Sequence, residues 1–124
     1  MGHPFTYLEM HSTAPEKAKA FYAELFGWTT NDVPVPAPQP FTYTEFDTKE
    51  GPEAGLMPQM EPGARSQWLP YVRVADLDEA TRKATKLGGR LVKERTEVKD
   101  IGWFSVIADP GGAVLGLFQK AQPR

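Results

Sequence analysis

Cysteine is absent from the 124 residues, and His3 and His11 are the only histidines. Without thiols there can be no disulfide framework, no thiolate metal site and no cysteine nucleophile. Two histidines also exclude a three-histidine metal site within one chain. Positive charge is not in excess: 14 Lys+Arg stand against 16 Asp+Glu, a net charge of −2. The basic footprint of a nucleic-acid-binding protein is therefore missing, and so is an acidic tail. No apolar run approaches the roughly 18–20 residues of a membrane span, and the N-terminus lacks the apolar segment of a secretory signal. These absences lead us to expect a cytoplasmic protein with no membrane and no nucleic-acid partner. Proline (12) and glycine (11) are plentiful, so many turns are expected.

The chain repeats one pattern. An offset of 62 places Tyr7-Leu8-Glu9-Met10-His11 on Leu69-Pro70-Tyr71-Val72-Arg73, and the helix-like stretch 14–27 on 76–89. With a one-residue slip, Ala54-Gly55-Leu56-Met57 falls on Leu115-Gly116-Leu117-Phe118. Identities are few, so the repeat is one of pattern. Each half reads as strand, helix and three short strands. In the first, 5–12 alternates as a half-buried strand does. Pro15 suits a first helical turn, Ala18, Phe21, Tyr22 and Leu25 form one apolar stripe, and Gly27 is a natural stop. The prolines of 33–40 predict an extended arm outside the sheet. In the second half Asp76 and Glu79 make a capping box, and 109–112 is a strong turn. The expectation is an α+β fold in which two tandem β-α-β-β-β modules form an open, curved eight-stranded sheet. One domain would cover 1–124, made of module 1 (about 4–58) and module 2 (about 67–120).

Strand side chains alternate between faces. Apolar Leu8 and Met10 suit the helix-packed face of the first strand, which leaves Tyr7, Glu9 and His11 opposite. The same logic places Tyr43 and Glu45 from the third strand, Leu69, Tyr71 and Arg73 from the fifth, and Trp103 and Ser105 from the seventh on a concave face. Gly55, Met57, Gly116 and Phe118 join them from the fourth and eighth. Aromatic walls with a few oriented polar groups are the usual make-up of a small-molecule site. A plainer reading is also open: the aromatics pack a core, and Glu9, Glu45 and Arg73 form an ion pair at a sheet rim.

The chain resembles the glyoxalase / bleomycin-resistance / dioxygenase superfamily, the vicinal oxygen chelate proteins, over about 5–119. The resemblance is carried by Ala20-Phe21-Tyr22-Ala23-Glu24-Leu25-Phe26-Gly27-Trp28, Tyr71-Val72-Arg73-Val74-Ala75-Asp76-Leu77-Asp78, Lys86-Leu87-Gly88-Gly89 and Asp109-Pro110-Gly111-Gly112-Ala113. It implies the paired modules, and it implies a homodimer. In the metal enzymes of that family, His or Gln on the first and fifth strands and Glu on the fourth and eighth bind a divalent ion. Those positions fall here on Tyr7, Leu69, Gly55 and Gly116. Leu and Gly offer no donor atom, and one phenol does not hold a divalent ion. No metal and no cofactor are therefore expected. Two readings follow. The first is a metal-free protein that binds a small organic ligand, with Tyr7, Tyr43, Gly55, Met57, Leu69, Tyr71, Arg73, Trp103, Ser105, Gly116 and Phe118 as its lining. The second is a metal-independent isomerase, lyase or cyclase using Glu9, His11 or Glu45 as general acid or base. A metal site built on Glu9, His11 and Glu45 is the least supported.

Overall fold

The computed structural model describes residues 2–36 and 40–121. The element order is β1 (Phe5–Ser12), α1 (Pro15–Phe26), β2 (Thr29–Val35), β3 (Phe41–Asp47), β4 (Glu53–Pro58), β5 (Gln67–Arg73), α2 (Leu77–Lys86), β6 (Arg90–Val98), β7 (Gly102–Ala108) and β8 (Val114–Lys120). This is an α+β chain in which the strand–helix–three-strand pattern occurs twice. Two compact units divide it: Tyr7–Leu69, called the N-terminal module, and Pro70 onward with the residues before Tyr7, called the C-terminal module.

In the N-terminal module the strands lie in the order β2-β3-β4-β1. β1 and β4 are parallel, joined through α1 and the β2–β3 hairpin, with Glu9 opposite Gly55 and Met10 opposite Leu56. α1 starts at Pro15, whose missing N–H costs nothing in the first turn. Its end is set by Gly27 at φ 71°, a left-handed backbone that donates to the Ala23 carbonyl. Met10, Phe46, Ala54 and Leu56 form the buried core, and Ala18, Tyr22 and Trp28 pack on it. The Tyr22 ring stacks on Trp28 at 6.0 Å and meets Phe46 and Trp68 edge-on. The expected apolar stripe is narrower than its sequence: Phe21 and Leu25 are each more than half exposed.

One expectation is corrected here. β2 continues through Val33-Pro34-Val35, where an arm outside the sheet was expected, and Pro34 pairs with Thr42. β2 is the first strand in the order, and an edge strand tolerates proline because one of its sides needs no donor. Residues 37–39 of the arm lie outside the described residues.

In the C-terminal module the order is β5-β8-β7-β6, again with a parallel first pair, Tyr71 opposite Gly116. The Asp76 side chain accepts the Glu79 N–H at 3.1 Å and so caps α2. Leu77, at the first turn of α2, is fully buried, whereas Leu87 at its end is exposed. Asp109 closes the β7–β8 turn by accepting the Gly111 and Ala113 N–H groups.

Candidate functional site

The face of the N-terminal sheet away from α1 is built from a register. β1, β4, β3 and β2 align Glu9, Gly55, Glu45 and Asn31 in one row across the sheet. Cross-strand partners share a face, so these four positions are neighbours on it. Gly55 is the gap in the row, and the phenols of Tyr7 and Tyr43 fill it. A Cβ built on Gly55 would overlap both hydroxyl oxygens.

The polar groups here are mutually bonded. Tyr7 and Tyr43 join hydroxyl to hydroxyl. Tyr43 donates to Glu9 Oε2 at 2.8 Å, and His11 Nε2 meets Glu9 Oε1 at 2.7 Å. Since the single Tyr43 proton goes to Glu9, the proton between the two phenols comes from Tyr7. The direction of donation therefore runs from Tyr7 through Tyr43 to Glu9, with His11 reaching Glu9 from its other side. Burial pushes both phenols far above the ordinary tyrosine range, and the Glu9 charge beside them pushes the same way. Glu45 is exposed and accepts from the Asn31 side-chain amide at 2.9 Å. It lies outside the bonded chain, and it is not the carboxyl buried beside apolar walls that an acid–base role for it needs.

The corresponding face of the C-terminal module is apolar. The Tyr71 ring lies over Gly116, so that a Cβ there would overlap the ring itself. Phe104 meets Tyr71 edge-on at 6.0 Å, and Phe118 pairs with Phe104 across β7 and β8. Leu69 is buried, Met57 is half-buried beside His11 on the β1–β4 ladder, and Arg73 is exposed with its N–H on the Pro4 carbonyl.

The expected face of β7 is corrected. Ser105 is fully buried and hydrogen-bonds Thr81 of α2 at 3.1 Å, so it points into the helix-packed side. Trp103 shares that side: Arg95 lies 5.0 Å over its ring and bonds Asp78 of α2. Phe104 and Val106 take the face assigned to Trp103 and Ser105. Alternation could not decide this, because both alternate sets of β7 are largely apolar. The repeat could have: the slip that pairs Gly55 with Gly116 also holds for β3 and β7, since Glu45 faces Gly55 and Val106 faces Gly116. Tyr43 then corresponds to Phe104. A one-residue slip moves every side chain to the other face. Asn31 is the other group the sequence reading missed.

The residues do not fit a metal at the family's ligand positions. Where a carboxylate would stand at 55 there are two phenol hydroxyls, and at 116 a phenol ring. Among the described residues, no three His, Cys, Asp or Glu side chains are grouped as an ion would require.

Residues 7–118 match the family described as the glyoxalase-like domain. The chain belongs to that family. Among curated relatives, CFP32 of Mycobacterium tuberculosis, which carries a provisional glyoxylase name, is 33% identical over 117 residues, covering 91% of this chain and 44% of that protein. The anthracycline biosynthesis protein DnrV of Streptomyces peucetius is 28% identical over 112 residues, covering 81% of this chain and 41% of that protein. The chain thus spans less than half the length of these relatives. Among solved structures, methylmalonyl-CoA epimerase from Mycobacterium tuberculosis superposes with a TM-score of 0.69 at 19% identity, over 95% of this chain and 88% of that one. BH1468 from Bacillus halodurans C-125 reaches 0.76 at 9% identity, over 100% and 99%. At such identities the structural likeness concerns the fold, which is that of a glyoxalase-like protein. No helix among the described residues is long and apolar enough to cross a membrane.

Proposed function

We propose that this glyoxalase-like chain binds a small organic molecule on the Tyr7–Tyr43–Glu9–His11 face without using a metal ion. One observation carries the reading: two phenol hydroxyls, that of Tyr43 bonded to Glu9, fill the space over Gly55, the position to which the resemblance assigns a metal-binding glutamate. Aromatic faces beside a fixed polar cluster give a ligand both contact area and orientation. Tyr71, Phe104 and Phe118 offer the C-terminal module an apolar counterpart. A cytoplasmic setting fits a chain without cysteine, and a homodimer fits the exposed Phe21, Leu25 and Phe26 of α1, each more than half accessible.

The test is ligand binding by protein stripped with a chelator and assayed for metal content. Affinity retained at substoichiometric metal, and reduced by Tyr43→Phe, is the expected result. Full occupancy by zinc, iron, manganese or nickel, with binding lost on its removal, overturns the reading. A second reading, a metal-independent enzyme with Glu9 as general base, is favoured by the His11–Glu9–Tyr43 chain alone. Turnover of a bound compound abolished by Glu9→Gln, with its affinity unchanged, would select it.

A further inference from the structure

Helix α1 carries apolar side chains on two sides, and the module's core uses only one of them. Ala18 and Tyr22 pack inward on the core. Lys17, Ala20, Phe21, Glu24 and Leu25 line a shallow groove on the outer side, and all five are exposed. Their spacing along the chain is that of one helix face, the kind that packs against another helix. Phe21 and Leu25 are 58% and 57% accessible, so two large apolar side chains face water along this groove.

The charges on this face are placed against their own helix. Lys17 stands in the first turn and Glu24 in the last turn of the 12-residue helix, where the helix dipole disfavours each sign. Neither has a hydrogen-bond or ion-pair partner among the described residues; the nearby Lys19 takes Glu16 and Asp32. An antiparallel helix laid along the groove reverses both penalties. It brings its N-terminal end to Glu24 and its C-terminal end to Lys17. When that helix is α1 of a second copy, a two-fold axis beside Ala20 and Phe21 makes the face self-complementary. Lys17 lies as far before Ala20 as Glu24 lies after Phe21, so each Lys17 stands opposite Glu24 of the other copy. The same axis brings the two Phe21 rings together at the centre, where interfaces concentrate aromatic side chains. The short Ala20 side chains let the helix axes approach.

We infer that the outer face of α1 is the contact between two copies of this chain, an antiparallel α1–α1 pair held by Phe21 and by two Lys17–Glu24 ion pairs. This contact rests on the homodimer of the reading above and names its face; ligand binding at the tyrosines does not depend on it. A helix of 12 residues is about 18 Å long, and a pair of that length covers less than the roughly 1,200–2,000 Å² of a standard stable interface. The dimer is therefore weak and concentration-dependent, with a Kd on the order of 10–100 μM.

The test is analytical ultracentrifugation of the intact chain between about 5 and 500 μM, where a monomer–dimer equilibrium is expected. Lys17→Glu sets carboxylates against each other at both ends of the pair and should raise Kd about tenfold. The exchange Lys17→Glu/Glu24→Lys restores opposite signs and should return Kd to within about threefold of the parent. Phe21→Lys places two like charges beside the axis and should leave only monomer in this range. All three positions are exposed, so stability in urea should not fall in any of these variants. If Phe21→Lys does unfold the chain, the charge exchange decides alone. A dimer unchanged by Phe21→Lys, or a Lys17→Glu loss that the exchange does not rescue, overturns the α1 contact while a homodimer through another face stands. Monomer at every concentration overturns the homodimer as well.

Discussion

In the N-terminal module two phenol hydroxyls meet over Gly55; in the C-terminal module a phenol ring lies over Gly116. The two glycines occupy matching places, each opposite the first strand of its module on a parallel ladder. Around them the chemistry has diverged. Glu9 and Glu45 flank Gly55, whereas Tyr71 and Val106 flank Gly116. The charge of the strands differs as well. β5 to β8 carry Arg73, Arg90, Lys93, Arg95 and Lys120 against Glu94 and Glu97, the reverse of the acidic β1 to β4. A duplicated backbone therefore keeps its register while one copy is spent on a polar cluster and the other on apolar packing. In the polar copy the side chains are oriented by bonds to one another.

The largest effect that would break this comparison lies at high pH. Unfolded Tyr7 and Tyr43 titrate near 10.0, and in the folded module burial and Glu9 raise both above that value. The unfolded chain therefore loses these protons first as pH rises. The stability they confer is complete below pH 10 and falls above it, by about 1.4 kcal/mol per pH unit for each phenol. Urea unfolding between pH 9.5 and 11 measures the slope. A Tyr7→Phe/Tyr43→Phe double variant should flatten it by the contribution of two groups. An unchanged slope would show that the phenol pair is not the alkaline weak point of the fold.

Next in size is a methyl group added to each glycine. At Gly116 it meets the body of the Tyr71 ring, which is buried and cannot tip away without disturbing Phe104. Gly116→Ala should cost about 1–3 kcal/mol, as overpacking of a core does. At Gly55 the methyl meets only the far ends of Tyr7 and Tyr43, which can swing aside. Gly55→Ala should cost less in stability, yet it should part the phenols from Glu9 and weaken ligand binding. Denaturant melts and binding isotherms of both variants separate the two outcomes. Equal stability losses would mean that the modules tolerate crowding alike.

Much of this arrangement is written in local sequence. The capping pair Asp76 and Glu79, the stop at Gly27 and the turn at Asp109 each rest on one residue type in one backbone role. β1 is legible because only one of its alternate sets is polar, so Tyr7, Glu9 and His11 separate cleanly from Leu8 and Met10. β7 is not, because Trp103 and Ile107 are as apolar as Phe104 and Val106, and its face is fixed by pairing with β8 and by Thr81 reaching Ser105. The pairing of Tyr7 with Tyr43 depends on a glycine 48 residues from the first of them. The exposure of Phe21 and Leu25 depends on Tyr22 having taken the inward place. Such facts belong to tertiary neighbours, which periodicity does not encode.

The smallest effect concerns the cations of the C-terminal module. Arg95 bonds Asp78 at 2.7 Å and covers the Trp103 ring, but both charged side chains are about half exposed. Water screens such a pair, and ordering two long side chains offsets part of its attraction. A double-mutant cycle of Arg95→Ala and Asp78→Ala should give a coupling of about 0.2–1 kcal/mol, falling with added salt. Arg95→Ala alone should cost slightly more than the coupling, since it also uncovers Trp103. Glu9 sits in the opposite situation: its side chain is 14% exposed and it meets the Tyr43 phenol and the His11 imidazole. Removing its charge with Glu9→Gln should therefore cost more than either half of the Arg95 cycle, because two donors lose a carboxylate they were oriented to meet. If the Arg95–Asp78 coupling exceeded the Glu9→Gln loss, the C-terminal surface rather than the tyrosine face would hold the stronger polar network, and the contrast between the modules would be reversed.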